Sequence, residues 1–238
     1  MIFFPVFDDN PTKKNPIISW VIIVICIIIF LFQESLDYHQ QRKLFLSYGM
    51  IPSVLFGHNE LSVNLEKVPA FLTIFTSMFL HGGWMHLIGN IGYLYIFGDN
   101  IEDCMGRLRF VIFYLTCGVI AALSQCFIDI NSSTPMIGAS GAISGILGGY
   151  LILYPKKNVK VFFWFIIFVK TFNIPALYVL GAWILIQFFS FDTSASDGVA
   201  YAAHIGGFIA GIALIFFFKK NNFQSTKKLE SGSLPSSK

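Results

Sequence analysis

Between Lys67 and Asp99 the chain runs for 31 residues without a charged side chain. A helix needs about 20 apolar residues to cross a bilayer, so this stretch is too long for one crossing and too short for two with a turn. It is not alone. Residues 17–32, 110–128, 136–154 and 198–218 are also free of Asp, Glu, Lys and Arg, and residues 161–191 contain only Lys170. With 55% hydrophobic and 12% charged residues, against about 25% charged in soluble domains, the chain has the composition of a membrane protein. Backbone amides in lipid must be paired within the segment, so the runs predict helices.

Six spans follow. The first is 17–32. A basic stretch before an apolar one also suits a signal peptide, but no small-residue cleavage pattern precedes Gln33-Glu34-Ser35, so a spanning helix is the better account. Residues 33–67, polar and mixed, form a long loop. Gly82-Gly83 divides the 31-residue run into an interfacial piece, 68–80, and a second span, 83–98, with Trp84 at the membrane interface. The third and fourth spans are 110–128 and 136–154. Pro175 divides the run at 161–191 into an interfacial piece ending near Phe172 and a fifth span, 175–189. The sixth is 198–218. The expected fold is therefore an all-α membrane protein, a six-transmembrane-helix bundle over residues 17–218. An N-terminal tail, 1–16, precedes it, and a lysine- and serine-rich disordered tail, 219–238, follows.

Cationic residues orient this bundle. Lys13 and Lys14, Arg107 and Arg109, Lys156, Lys157 and Lys160, and the five lysines from Lys219 onward fall on one side. The opposite loops hold Arg42, Lys43 and Lys67. Positive residues stay inside, so both termini are expected in the cytoplasm, with Lys170 snorkelling from the interfacial piece. A net charge of +3 gives no reason to expect nucleic acid as a partner. Four cysteines, Cys26, Cys104, Cys117 and Cys126, form no C-x-x-C pair and suggest neither metal nor redox chemistry.

The fourth span carries the most specific pattern. Gly141, Gly145 and Gly149 recur every four residues and leave one helix face nearly bare, with Ser140 at its edge. Taken alone, this stretch describes a packing serine on a glycine-rich helix. The sixth span changes the weighing, because Ala203, Gly207 and Gly211 form a matching face beside His204. Spans two, four and six all start on the outer side. Counted at about 1.5 Å per residue, His86, Asn90, Ser140 and His204 lie roughly 6 to 12 Å below that surface. A serine hydroxyl becomes a nucleophile when a base takes its proton, and histidine is the usual base near neutral pH. His86 and Asn90, one turn apart, can donate to an oxyanion together with the Ser140 backbone N–H. No acid lies within the spans to orient His204. Asp129, Asp192 and Asp197 belong to outer loops, and Asp99, Glu102 and Asp103 to the other side. A Ser-His dyad is expected, acting on a peptide bond near the outer surface.

Gly138-Ala139-Ser140-Gly141, Ala203-His204-Ile205-Gly206-Gly207 and His81-Gly82-Gly83-Trp84-Met85-His86 with Asn90, in that helix arrangement, resemble the rhomboid intramembrane serine proteases. Glu102-Asp103-Cys104-Met105-Gly106-Arg107 is similar to that family's cytoplasmic loop, and the resemblance covers roughly residues 15 to 218. It implies a rhomboid-like six-helix bundle whose fourth helix starts within the membrane beside a mobile fifth. It implies Ser140 as nucleophile, His204 as base, and His86 and Asn90 in the oxyanion site. His81, Gly138 and Ser144 would line the site. Ser144 stands where many members have a tyrosine stacked on the histidine, and the long first loop lacks the Trp-Arg pair of some bacterial members. Expected partners are transmembrane protein substrates and the lipid bilayer, with no cofactor and no metal. The expected setting is a bacterial inner (plasma) membrane.

Three other classes compete. A zinc protease or metal transporter could draw on His58, His81, His86 and His204, but H-E-x-x-H is missing, and His81 and His86, five apart, do not share a helix face. A solute transporter would show broken helices in related halves, hinted at only by residues 161–191. A catalytically silent rhomboid-like binder of membrane proteins would have lost Ser140 or His204, and both are present. Glu102 and Arg107 are expected to stabilise the cytoplasmic end of the fold.

Overall fold

The computed structural model describes residues 2–191 and 198–220. Helix α1, Ile17–Glu34, covers the first expected span. Pro16 at its N-cap offers no side-chain acceptor, yet the first amides of a helix need one. Glu102 supplies it from a distant helix, accepting from Ile18 N (3.0 Å), Ser19 N (2.9 Å) and Ser19 Oγ (2.9 Å).

The long loop is more ordered than its polarity predicts. It contains helix α2, Tyr38–Tyr48, opened by a reciprocal capping box between Asp37 and Gln40, and the short helix α3, Pro52–Leu55. The expected interfacial piece is a run of short turns, Ala70–Leu72, α4 (Thr73–Thr76) and Ser77–Phe79. It meets helix α5, Trp84–Met105, at an 83° bend across the Gly82-Gly83 break. Helix α6, Arg107–Cys126, follows.

Helix α7, Ser140–Leu153, is the axis of the molecule. It packs against α5, α6 and two later helices, α8 (Ala176–Phe191) and α9 (Tyr201–Phe218). Its residues from Ala142 to Tyr150 are all buried, as a helix apolar on every face must be. The small-residue seam with α9 forms with a refined register. A Cβ on Gly207 would collide with the carbonyl oxygen of Gly141, and one on Gly211 with that of Gly145. At the third level Gly148, rather than Gly149, takes the α9 backbone, at the Phe208 carbonyl. Gly149 faces the side chains of Ile215 and Phe113 instead.

Two expectations change. Residues 161–172 are not simply an interfacial piece before the fifth span. Strand β2, Asn158–Phe165, and strand β3, Phe168–Pro175, form an antiparallel hairpin with Phe165 opposite Phe168. The stretch at 1–16 is not only a tail, because strand β1, Ile2–Asp8, pairs antiparallel with β2, Asp8 opposite Val159. Aromatic and β-branched residues dominate β2 and the first half of β3, which suits a pleated surface. Phe4 of β1 lodges against Gly92 of α5, with its ring 5.7 Å from that of Tyr93.

Helices α1, α6 and α9 are long and apolar enough to cross a membrane, and the bent pair at 70–105 makes a fourth. Helices α7 and α8 are apolar but shorter, so the architecture is a helical membrane bundle with a small sheet. Of the expected tail at 219–238, only Lys219 and Lys220 lie within the described residues.

Candidate active site

Helix α7 begins on Ser140 itself. The approach is pinned from both sides. Met136 pairs with Met50 through two backbone bonds (2.8 and 3.0 Å), and Gly138 N donates to Ser77 O at 2.8 Å. Gly138 has φ +118, a conformation that favours glycine, and a Cβ there would lie 2.6 Å from His86 Nε2. The chain therefore turns sharply into the helix with His86 at its back.

His204 sits in the first turn of α9, across the glycine seam. Its Nε2 lies 2.8 Å from Ser140 Oγ. The small residues on both helices allow this approach, since a side chain at Gly207 would push the backbones apart. Serine and histidine are both half-buried, within reach of a ligand.

The other ring nitrogen, Nδ1, lies 2.8 Å from Gln187 Oε1 on α8. Gln187 Nε2 in turn donates to the Trp183 carbonyl at 3.2 Å. Trp183 also covers the His204 ring, centroids 5.9 Å apart and planes tilted by 39°, and Tyr201 meets that ring edge-on at 6.3 Å. Neither Gln187 nor Trp183 was among the residues expected from sequence. Gln187 is the only amide side chain in α8, and an amide in an apolar span is a signal in its own right. A search for acids alone passes over it.

Ser144 is fully buried and turns away from the histidine, its Oγ donating to Ser140 O at 2.6 Å. The aromatic ring that covers His204 comes from Trp183 on another helix.

His86 and Asn90 occupy one face of α5, as their spacing predicts. Gly82 N donates to His86 Nδ1 at 3.3 Å, which leaves the proton on His86 Nε2, the nitrogen facing Gly138. Asn90 is buried, and one of its Nδ2 protons goes to His86 O at 3.0 Å. His81 is fully buried, with its ring 5.2 Å from that of His86. The two rings thus meet across the bend although they share no helix face. Gln33 clasps the His81 backbone, donating to its carbonyl (2.7 Å) and accepting from its amide (3.1 Å). His58 lies apart, paired with Asn131 at 2.8 Å.

The carboxylates Glu102 and Asp103 are committed elsewhere. Glu102 caps α1, and Asp103 accepts from Lys13 N at 2.9 Å. Asp192 and Asp197 lie outside the described residues. Chemically, the cluster offers a hydroxyl beside a histidine nitrogen, a second histidine with its N–H turned toward the same spot, and a helix N-terminus whose first amides lack intrahelical partners.

The family model of the rhomboid domain matches residues 69–221. The chain is similar to RHOMBOID-like protein 5 of Arabidopsis thaliana, 30% identical over 143 residues, covering 60% of this chain and 42% of that protein. It is also similar to the mitochondrial Rhomboid protein 1 of Saccharomyces cerevisiae, 26% identical over 166 residues, covering 65% of this chain and 44% of that protein. In each case the match spans less than half of the relative's length.

Proposed function

This chain belongs to the rhomboid family, and we propose from that premise that it is an intramembrane serine endopeptidase. The observation that carries the reading is the 2.8 Å contact between Ser140 Oγ and His204 Nε2, made between two helices whose seam is bare of side chains.

In the proposed mechanism His204 Nε2 takes the Ser140 hydroxyl proton as Oγ attacks the scissile carbonyl carbon. The carbonyl oxygen becomes an oxyanion. It accepts from His86 Nε2–H, from Asn90 and from the Ser140 backbone N–H, at the positive end of α7. His204 then gives its proton to the leaving amine as the C–N bond breaks, leaving an acyl group on Ser140. Water, deprotonated by the same nitrogen, attacks the acyl carbon; the C–Oγ bond breaks, His204 returns the proton to Ser140 Oγ, and the second product leaves as a carboxylic acid. His81 and Gly138 line the site, and Ser144 supports the backbone of Ser140. No step calls for a metal or cofactor.

The same reading makes α1, α5, α6, α7, α8 and α9 six crossings, with α7 and α8 as short ones. Both termini lie in the cytoplasm of a bacterial inner membrane, and the substrates are transmembrane proteins cut near their outer ends. The distribution of Lys and Arg supports that orientation.

The test is cleavage of a single-span reporter by the purified protein in liposomes, comparing the parent with Ser140→Ala and His204→Ala. Both variants are expected to lose cleavage while keeping the parent's thermal unfolding. Undiminished cleavage by Ser140→Ala would falsify the mechanism.

A further inference from the structure

We propose that Gln187 is the positioning residue of the Ser140–His204 pair, so that the unit is a hydrogen-bonded Ser-His-Gln triad spread over α7, α9 and α8. The inference rests on the serine-endopeptidase reading and deepens it.

A chain of hydrogen-bond assignments leads there. The Trp183 carbonyl can only accept, so the group of Gln187 that faces it at 3.2 Å is the NH2. That fixes the amide's orientation and turns Oε1 toward His204. Oε1 can only accept, so at 2.8 Å His204 Nδ1 must carry the proton. A neutral imidazole with its proton on Nδ1 has its lone pair on Nε2, the nitrogen that lies 2.8 Å from Ser140 Oγ. The backbone of α8 thus dictates, through one side chain, which nitrogen can act as base. The opposite tautomer would place N–H against the serine and leave it without a base.

Gln187 is 7% exposed, and a neutral amide does this work without burying a second charge beside the imidazole. Trp183, one turn earlier on the same helix, holds the ring plane. Helix α8 therefore supplies both restraints on His204. Helix α7, whose Ser144 Oγ is spent on the Ser140 carbonyl, supplies neither.

The experiment uses the full chain in liposomes and reads three quantities. They are the rate at which a fluorophosphonate probe labels Ser140, the pH profile of reporter cleavage, and the 15N chemical shifts of the His204 ring in Ser140→Ala protein labelled on histidine. In Gln187→Leu, labelling and kcat are expected to fall about 100-fold with KM little changed, as expected for a misplaced base, and the ring is expected to lose its preference for protonation at Nδ1. Gln187→Glu keeps an acceptor at the same reach. It is expected to restore labelling and to move the acid limb of the profile to higher pH, because a carboxylate favours the imidazolium. Labelling of Gln187→Leu at the parental rate with an unchanged profile overturns the inference. So does a His204 ring protonated on Nε2 when Gln187 is intact, which needs no variant at Gln187 to fold. If Ser140→Ala cleaves like the parent, the endopeptidase reading falls, whatever the ring spectrum reports about Gln187.

Discussion

Asp8 and Tyr150, 142 positions apart, meet inside the molecule, the tyrosine hydroxyl donating to the carboxylate. This contact ties strand β1 to the central helix, and Asn100 Nδ2 adds a long bond to the same oxygen at 3.4 Å. Burial pushes the Asp8 carboxyl up to about 7, and Asp99 and Asp9 push the same way, while the hydrogen bond from Tyr150 pulls it down by less than burial raises it.

A pH dependence of stability follows. In the unfolded chain Asp8 titrates near its ordinary 3.8, so between 3.8 and about 7 the folded state holds a proton that the unfolded state has lost. The contribution is full below 3.8 and disappears as pH rises through 7, with a slope of at most about 1.4 kcal/mol per pH unit. Thermal unfolding in micelles from pH 5 to pH 8 checks it. The parent should lose stability across that range relative to Asp8→Asn, whose side chain stays neutral, and parallel curves would count against the assignment.

The glycine seam predicts an asymmetric pair of substitutions. Gly211→Leu drives a side chain into the Gly145 carbonyl, where only backbone can yield, so it should cost at least about 2 kcal/mol and separate Ser140 from His204. On α8, a Cβ at Gly181 meets no heavy atom within 4 Å, so Gly181→Ala should leave stability unchanged or raise it by up to about 1 kcal/mol. Thermal unfolding measures both, and fluorophosphonate labelling reports whether the Ser-His distance survives.

At the other end of the bundle, Glu102→Ala leaves the amides of Ile18 and Ser19 and the Ser19 hydroxyl without their acceptor. The expected cost is about 2 kcal/mol, the size of a lost helix cap whose acceptor was charged. Glu102→Gln keeps an oxygen but no charge and should cost roughly half as much. Urea titration of the micellar protein compares the two. Equal stability of all three proteins would show that α1 draws its order from lipid and packing alone.

These contacts also mark what could be read from the chain and what could not. Ser140, His204 and His86 were legible because glycine spacing, span boundaries and charge asymmetry together place them at one depth on facing helices. Gln187 was not, because it carries no charge to mark it as a partner for His204, although an amide can orient a ring as a carboxylate does. The sheet escaped for a different reason. Short apolar runs such as 161–165 do not distinguish strand from helix or interfacial coil by periodicity. Strand β1 finds its partner about 150 residues away, where no local pattern can point. Helix α2 was the legible miss, since Asp37 and Gln40 spell a capping box that the polar composition of the loop obscured.

His86 and Gly138 give the sharpest separation of roles within the site. His86 Nδ1 is occupied by Gly82 N, so its Nε2 is the donor, and that nitrogen sits where a Cβ of residue 138 would be 2.6 Å away. A donor at this point stabilises charge in the transition state without taking the serine's proton. His86→Ala should therefore lower kcat by about 10²- to 10³-fold, the range for losing one oxyanion donor, while His204 keeps its contact with Ser140. Gly138→Ala should produce a related loss by another route. Its φ of +118 is strained for alanine, and the new methyl displaces the His86 ring, so kcat falls while the Ser140–His204 bond remains. Stopped reporter assays across pH 5 to 9 test both. A kcat of His86→Ala within about threefold of the parent would remove His86 from the oxyanion site.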